Sequence, residues 1–159
     1  MTSPVVNVVI AGLGGQGAIK ASDILADAAF RAGFDVKKAE IHGMSQRGGS
    51  VTSDVRYGAE VLSPMIPRGQ ADFLVVLAES EVEVNRPNLK AGGVLIPPGA
   101  VDEAGLTNKR SLNVALLGAL AARLQLPEEH WLAAIRAALP ERLHAMNEQA
   151  FRYGRETVR

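Results

Sequence analysis

The sequence contains no cysteine, which excludes disulfide bonds, a thiolate nucleophile and the usual thiolate ligands of iron–sulfur clusters. It also has no excess charge of either sign, since 17 lysines and arginines balance 17 aspartates and glutamates. Without a net field, nucleic acid and anionic lipid are not favoured as partners. Any redox chemistry must therefore rest on carriers that cysteine side chains do not hold.

Long apolar runs are missing as well. The longest apolar stretches reach about half of a membrane span or less, and the first residues include no basic leader, so we expect a cytoplasmic protein. The chain has 159 residues. Because a chain of this size can bury roughly two thirds of its unfolded surface around one core, a single domain over residues 1–159 is predicted.

Residues 5–33 predict a strand, a turn and a helix. Residues 5–11 are apolar apart from Asn7, as in a central strand that is covered on both faces. Apolar positions with helical spacing follow the turn until Gly33, which supplies a C-terminal stop. Residues 34–41 predict a second strand, which the helical connection would pair parallel with the first.

The middle of the chain predicts two strands of different character. Residues 51–57 alternate apolar and polar side chains, so we expect a strand with one wet face. It would turn back into residues 60–62 as an antiparallel hairpin at the sheet edge. Residues 71–78 have the composition of a buried strand.

The later elements complete an α/β fold. Ser80 and Glu83 are spaced as a capping box that would begin a helix ending at the glycines of positions 92–93, before a short strand at 94–96. The last third predicts three helices, namely residues 112–124 and two helices with Pro127 and Pro140 in their first turns. The first of these has an apolar stripe and should pack on the sheet. We predict a Rossmann-like, mostly parallel sheet with an antiparallel edge hairpin and a helical C-terminal third.

The turn at residues 12–17, which we call the glycine turn, has the glycine spacing of dinucleotide-binding loops, directly after a strand and before a helix. Glycines permit a tight turn and close backbone approach, while free N–H groups and the helix dipole favour a phosphate or carboxylate. The alternative is that the glycines only pack the helix on the strand. The predicted binding residues here are Gly12, Gly14, Gly15, Gln16 and Gly17.

A nicotinamide dinucleotide also needs an acidic residue at the end of the second strand, about 20 residues beyond the last glycine, to hold the ribose hydroxyls. Glu40 lies about there. The alternative, which we favour, is a solvated charge or an ion pair with Lys37 or Lys38. Flavin-binding domains and the adenylating enzymes of ubiquitin-like proteins share such a glycine turn.

Residues 42–50, which we call the polar loop, crowd polar side chains and glycines between two strands. A loop there lies beyond a strand end, on the same edge as the glycine turn if the sheet is parallel. Ser45, Gln46 and Arg47 are predicted to complete the binding site, and the planar Arg47 guanidinium suits a carboxylate or phosphate. The alternative for Arg47 is a structural salt bridge.

The histidines give no support for catalysis or metal binding. His42 has no visible nucleophile or acidic partner, and a single histidine of this kind is more often a hydrogen-bonded loop residue. His130 and His144 lack metal-ligand spacing to each other. We therefore predict no catalytic residue and no metal site in this chain.

The glycine turn and polar loop together resemble a known family, the gamma-type subunits of 2-oxoacid:ferredoxin oxidoreductases, and most closely the small beta subunits of indolepyruvate ferredoxin oxidoreductases. The resemblance covers nearly the whole chain, except that relatives carry a longer segment where this chain has residues 98–111. It is carried by residues 12–17, 40–57, 113–118, 131–135 and 147–156.

The resemblance implies a subunit that is inactive alone, in a complex that oxidatively decarboxylates a 2-oxoacid, for example an aryl pyruvate such as indolepyruvate, to an acyl-CoA. Thiamine diphosphate and iron–sulfur clusters would belong to larger partner subunits, through which electrons pass to ferredoxin or another acceptor. Coenzyme A is the ligand whose phosphates suit the glycine turn. The alternatives are an independent NAD(P)- or flavin-binding oxidoreductase and a purely structural interaction domain.

Overall fold

A computed structural model describes residues 4–42 and 49–157. Five strands form one mixed sheet, and they are β1 (Val6–Leu13), β2 (Asp35–His42), β3 (Ser50–Gly58), β4 (Ala71–Val76) and β5 (Leu89–Ile96). Their order is β2-β3-β1-β4-β5. Strand β4 pairs parallel with β1 and β5, whereas β3 pairs antiparallel with both β1 and β2.

The helices lie mainly on one face of the sheet. Helices α1 and α3 contact the strands, α4 packs on α1, and α5 packs on α3. A single helical turn, α2, follows β4, and short 3-10 turns flank it and precede α3 and α5. The helices are α1 (Ala18–Arg31), α2 (Val82–Asn85), α3 (Leu112–Ala121), α4 (Glu128–Ala138) and α5 (His144–Thr157).

Strand β1 is buried on both faces, which explains why its sequence is nearly all apolar. Val8 and Ile10 face the main core under the helices, while Val9 and Ala11 face a smaller core on the other side. Apolar side chains of residues 59–70 and of α2, such as Val82, cover this second face. The predicted first strand, the helix that ends before Gly33, the buried strand β4 and the helical last third are confirmed.

The predicted pairing of the first two strands is wrong, because β3 lies between β1 and β2. Residues 60–62 form no strand. The antiparallel pair at the sheet edge therefore consists of β2 and β3. The polar face of β3 is covered by the following segment rather than exposed to solvent. The Asp54 carboxylate accepts from Ile66 N–H at 2.9 Å, and the Arg56 guanidinium donates to the Ser63 carbonyl at 2.8 Å. Burial raises the pKa of Asp54.

The predicted capping-box helix is also wrong. Its sequence forms α2 and two 3-10 turns, and no side-chain hydrogen bond caps any of them. The glycines expected to end the helix lie inside β5, where Gly92 has a φ of 78° and the register against β4 shifts. A capping box needs its acidic side chain to reach back to the helix start, but the Glu83 carboxylate instead accepts from the Arg86 guanidinium at 2.9 Å.

Helix α3 is buried on almost all sides rather than along one stripe. Two glycines permit its close packing on α5. A Cβ at Gly154 would overlap the Ala115 carbonyl, and a Cβ at Gly118 would overlap the Phe151 carbonyl. The two helix backbones therefore lie in direct contact at these positions.

Replacing Gly154 with alanine should lower the free energy of unfolding by about 3 kcal/mol, because the new methyl group forces α3 and α5 apart. Urea unfolding of the purified chain measures this effect. Gly99→Ala is the matched control, since a Cβ there meets no atom within 4 Å and the backbone φ is not positive. Equal unfolding midpoints for the two variants would refute the proposed helix contact.

Candidate functional site

The glycine turn joins β1 to α1 at the edge where the parallel strands end. Gly15 and Gly17 have φ angles of 90° and 84°, which residues with a Cβ rarely adopt. The Gln16 N–H donates to the Leu13 carbonyl at 3.1 Å and closes the turn. Gly12 lies deeper, because a Cβ there would come within 3.1 Å of the Leu77 Cβ. Gly12 therefore packs against Leu77, ligand contact by Gly12 stays a prediction, and the exposed glycines form the surface.

The Gln16 side chain folds back onto the chain. Its Oε1 accepts from Leu13 N–H at 2.7 Å, and its Nε2 donates to the Leu77 carbonyl at 3.4 Å. Both ends of the amide thus hold the turn against the end of β1 and the residue after β4. The side chain stabilises the turn, and ligand contact by Gln16 stays a prediction.

The glycine turn and the first residues of α1 line an open cleft. Within residues 4–42 and 49–157, the N–H groups of Gly15, Ala18 and Ile19 find no acceptor. The first turn of a helix leaves such donors free, and the helix dipole adds partial positive charge. An anion is therefore the ligand that this surface favours. The cleft has a volume of about 440 Å³ and is lined by Leu13, Gly14, Gly15, Gly17, Ala18, Ile19 and Val51.

The antiparallel pairing of β3 brings the end of the polar loop to the glycine turn. Ser50 lies opposite Leu13 in the sheet, and Gly14 N–H donates to the Gly49 carbonyl at 2.9 Å. The polar loop thus enters and leaves at the edge that carries the glycine turn. Its predicted binding residues Ser45, Gln46 and Arg47 lie outside the described residues, so their part in the site stays a prediction.

A buried carboxylate anchors the first residue of β3. Glu81 is 5% exposed, and its Oε1 accepts from the Ser50 hydroxyl at 2.8 Å. The Asn85 amide donates to the Glu81 carbonyl at 2.8 Å and lies 3.4 Å from Oε2. Sequence analysis missed this cluster, and the sequence holds no signal for it, since Glu81 stands in an ordinary acidic stretch.

Asn113 is a second contact that sequence analysis missed. Its Nδ2 donates to the Gly17 carbonyl at 3.2 Å and ties the first turn of α3 to the first turn of α1. A signal was present, because Asn113 is the single polar residue of α3 and is only 9% exposed. A buried amide in an apolar helix needs hydrogen-bond partners.

Glu40 is not placed to hold a ribose beside the glycine turn. It lies on β2, and β3 separates β2 from β1. The predicted alternative is confirmed, since Glu40 pairs with Lys38, whose Nζ also lies 2.5 Å from Asp23 Oδ1. Burial opposes the charge of Lys38, but hydrogen bonds to the two carboxylates outweigh it and raise its pKa. The geometry gives no support to a nicotinamide site.

The histidine and acidic side chains of the described residues are the candidate ligands for a metal ion. In the part of the chain that the structure describes, no group of three or more histidine, aspartate or glutamate side chains is arranged to hold a metal ion. The His144 Nε2 lies 2.7 Å from the Leu139 carbonyl, which is a helix-end contact. The described helices include none that is long and apolar enough to span a membrane.

Comparison with known proteins identifies the family. The sequence profile for pyruvate ferredoxin/flavodoxin oxidoreductase matches residues 7–100 and 98–157. The chain belongs to this family. The resemblance stated from the glycine turn and the polar loop is thereby confirmed.

Relatives of the family are subunits of oxidoreductase complexes. Subunit IorB of the indolepyruvate oxidoreductase of Thermococcus kodakarensis is 35% identical over an alignment of 192 residues, which covers 93% of each chain. The crystal structure of the gamma subunit of the keto/oxoacid ferredoxin oxidoreductase of Geobacter sulfurreducens matches with a TM-score of 0.79 at 27% identity, and the match covers 96% of this chain and 97% of that one. The chain is accordingly a subunit of the 2-oxoacid:ferredoxin oxidoreductase family, and its α/β fold is that of the gamma subunits.

A longer protein contains the same fold. The 2-oxoglutarate:ferredoxin oxidoreductase of Magnetococcus marinus, solved with 2-oxoglutarate, coenzyme A and succinyl-CoA bound, matches with a TM-score of 0.84 at 21% identity. The match covers 96% of this chain but 31% of the longer one. In that enzyme the fold is therefore one part of a larger polypeptide.

The chain is shorter than its relatives at the position that the sequence indicates. The alignment with the Thermococcus subunit has 192 positions against 159 residues here, so at least 33 positions have no counterpart. The family profile matches in two parts that meet at residues 98–100. In this chain, 3-10 turns at Pro98–Ala100, Glu103–Gly105 and Lys109–Ser111 connect β5 directly to α3.

Ser50→Ala should lower the free energy of unfolding by about 1–3 kcal/mol, because the buried Glu81 carboxylate loses its hydroxyl donor. Ser53→Ala is the control on the same strand. The Ser53 hydroxyl is buried and has no partner among the described residues, so its removal should be neutral or slightly stabilising. Thermal unfolding compares the two variants, and a Ser50→Ala protein as stable as Ser53→Ala would contradict the anchoring role of Glu81.

Proposed function

We propose that the chain is the gamma-type subunit of a cytoplasmic 2-oxoacid oxidoreductase complex and that its glycine turn binds the phosphates of coenzyme A. The complex would convert a 2-oxoacid to an acyl-CoA and pass electrons to ferredoxin or another acceptor through larger partner subunits. The chain would act as one domain, with no membrane or nucleic-acid partner. The observation that carries the proposal is the cleft of exposed glycines at the start of α1, where the N–H groups of Gly15, Ala18 and Ile19 find no acceptor among residues 4–42 and 49–157.

The residues of the cleft fit a phosphate group. A Cβ at Gly15 would meet no atom within 4 Å, so the space in front of this backbone is open to a ligand. The N–H groups of Gly15, Ala18 and Ile19 supply donors, and the dipole of α1 adds favourable charge. Ser45, Gln46 and Arg47 of the polar loop are proposed to approach the same anion, with the Arg47 guanidinium neutralising its charge.

We assign the redox centres of the complex to partner subunits, because this chain lacks the cysteine ligands that such centres need. It has no cysteine, so thiolate ligands for iron–sulfur clusters must come from partner subunits. Thiamine diphosphate, which supplies the carbanion chemistry of decarboxylation when bound, is assigned to a partner as well. This chain's own residues bind and orient the anionic end of coenzyme A.

The choice of 2-oxoacid is proposed to lie outside this chain. The similar Thermococcus subunit belongs to an indolepyruvate oxidoreductase, while the same fold occurs in an enzyme solved with 2-oxoglutarate. One fold thus accompanies substrates that differ in size and charge. An aryl pyruvate such as indolepyruvate is the substrate that the IorB likeness favours, and a panel of 2-oxoacids offered to the complex would identify it.

Gly15→Val, assayed in the complex with its partner subunits, should raise KM for coenzyme A at least tenfold. The valine side chain would project into the cleft and block the approach of the phosphate. KM for the 2-oxoacid should change less than twofold. Steady-state kinetics with an artificial electron acceptor measure both constants.

Gly33→Val is the matched control for this experiment. Gly33 has a φ of 96° and also meets no atom within 4 Å, so the variant carries a similar backbone strain at the opposite end of α1. It should leave KM for coenzyme A unchanged. If both valine variants behave alike, or if Gly15→Val leaves this KM unaltered in a folded complex, coenzyme A does not bind the glycine turn.

A further inference from the structure

The Asn113 amide joins two helices at the edge of the cleft. Its Oδ1 accepts from the N–H of Val114 at 2.9 Å, and its Nδ2 donates to the Gly17 carbonyl at 3.2 Å. The same carbonyl accepts the first intrahelical bond of α1, from Ala21 N–H at 2.9 Å. Gly17 O therefore has two donors, one from its own helix and one from α3.

The peptide unit between Gly17 and Ala18 links the bonded Gly17 carbonyl to the N–H of Ala18, a residue that lines the cleft. A trans peptide is planar, and its C=O and N–H bonds point in opposite directions. When Asn113 and Ala21 hold the Gly17 carbonyl, the direction of the Ala18 N–H is fixed as well. Ala18 lines the cleft, and its N–H finds no acceptor among the described residues.

We propose that Asn113 is a positioning residue for the ligand of the glycine turn: by fixing the Gly17 carbonyl, it aims the Ala18 N–H at the bound phosphate. The proposal rests on the binding of coenzyme A to this turn. Asn113 itself does not touch the ligand. It removes the cost of ordering a donor when the ligand arrives, which is the general advantage of a preorganised site.

Only an amide side chain meets both requirements at this position. Because the Val114 N–H holds Oδ1, the Nδ2 group has to face the Gly17 carbonyl. Aspartate would keep the first bond but has no donor for the second. The absence of a Cβ at Gly17 is part of the same arrangement, since a Cβ would lie 2.5 Å from Asn113 Nδ2.

The turn should survive the loss of Asn113, because other bonds hold it. Gly14 N–H still bonds the Gly49 carbonyl, and the Gln16 side chain still bonds Leu13 and Leu77. The Ala21 bond still begins α1, but the Gly17 carbonyl keeps only one of its two donors and is less firmly fixed. The expected defect is therefore the direction of one N–H group in a folded protein.

The test compares Asn113→Asp and Asn113→Ala with wild type in two measurements. In the isolated chain, the ¹⁵N–¹H resonance of Ala18 should move in both variants. In the complex, KM for coenzyme A should rise about fivefold to tenfold, which corresponds to about one hydrogen bond, while kcat at saturating coenzyme A and KM for the 2-oxoacid stay within twofold.

Asn147→Ala is the matched control. Asn147 is 6% exposed, and its Nδ2 donates to the Leu143 carbonyl at 2.9 Å on α5, which is the same kind of bond at a site that does not line the cleft. It should lower stability without moving the Ala18 resonance or KM for coenzyme A. Equal effects of Asn147→Ala and Asn113→Ala on this KM would overturn the positioning role.

Comparison with the Gly15→Val complex separates failure of this inference from failure of the proposed function. If Gly15→Val raises KM for coenzyme A but Asn113→Asp does not, the turn binds the ligand and Asn113 has no positioning role. If neither variant changes this KM, coenzyme A does not bind the turn, and the positioning of Ala18 for it is refuted as well. A raised KM for Asn113→Asp with an unmoved Ala18 resonance would also overturn the proposed cause.

Discussion

The antiparallel pairing of β3 with β1 is the constraint on which the candidate site depends. In a dinucleotide-binding domain the second strand lies beside the first and supplies an acidic residue for the ribose. Here β3 occupies that place, and Glu40 on β2 lies two strand spacings from β1, about 10 Å. The same pairing brings Gly49 and Ser50 to the glycine turn. The position of β3 between β1 and β2 therefore removes the ribose site of a dinucleotide-binding domain. In its place, the end of the polar loop meets the glycine turn.

The glycine turn is held by bonds that leave its outer surface free. The Gly49 carbonyl accepts from Gly14 N–H, and the Gln16 side chain accepts from Leu13 N–H. Asn113 donates to the carbonyl of Gly17, the last residue of the turn. Each of these bonds involves a backbone group of the turn, so its donors are fixed without a side chain in the cleft. Such a surface can bind and orient an anion, and the described residues that line the cleft include no nucleophile or general base.

The sequence predicts the parts of this structure that local patterns determine. Glycines with positive φ, an apolar strand before them and a helical period after them are enough to find β1, the turn and α1. The position of β3 is not predictable in this way. Its polar residues Asp54 and Arg56 predict an exposed edge strand, but in the structure they form hydrogen bonds with the backbone of residues 59–70. Alternation along β3 predicts an exposed face, whereas the segment that directly follows the strand folds back over that face.

The same reason explains the missed contacts of the site. The Ser50–Glu81 bond spans 31 positions and the Gly17–Asn113 bond spans 96, so neither leaves a local pattern. Asn113 stands out as a polar residue in an apolar helix, but its partner depends on how α3 packs beside α1. The capping-box prediction was wrong although its local spacing was correct, because the Glu83 side chain pairs with Arg86 and strand β5 begins at Leu89.

Hydrogen–deuterium exchange in the assembled complex tests the central claim most directly. The amides of residues 15–20 include the free donors of the turn and should exchange rapidly without ligand. Saturating coenzyme A should slow exchange in this segment, while exchange within α4 stays unchanged. Unchanged exchange at residues 15–20, in a complex that turns over coenzyme A, would contradict the account.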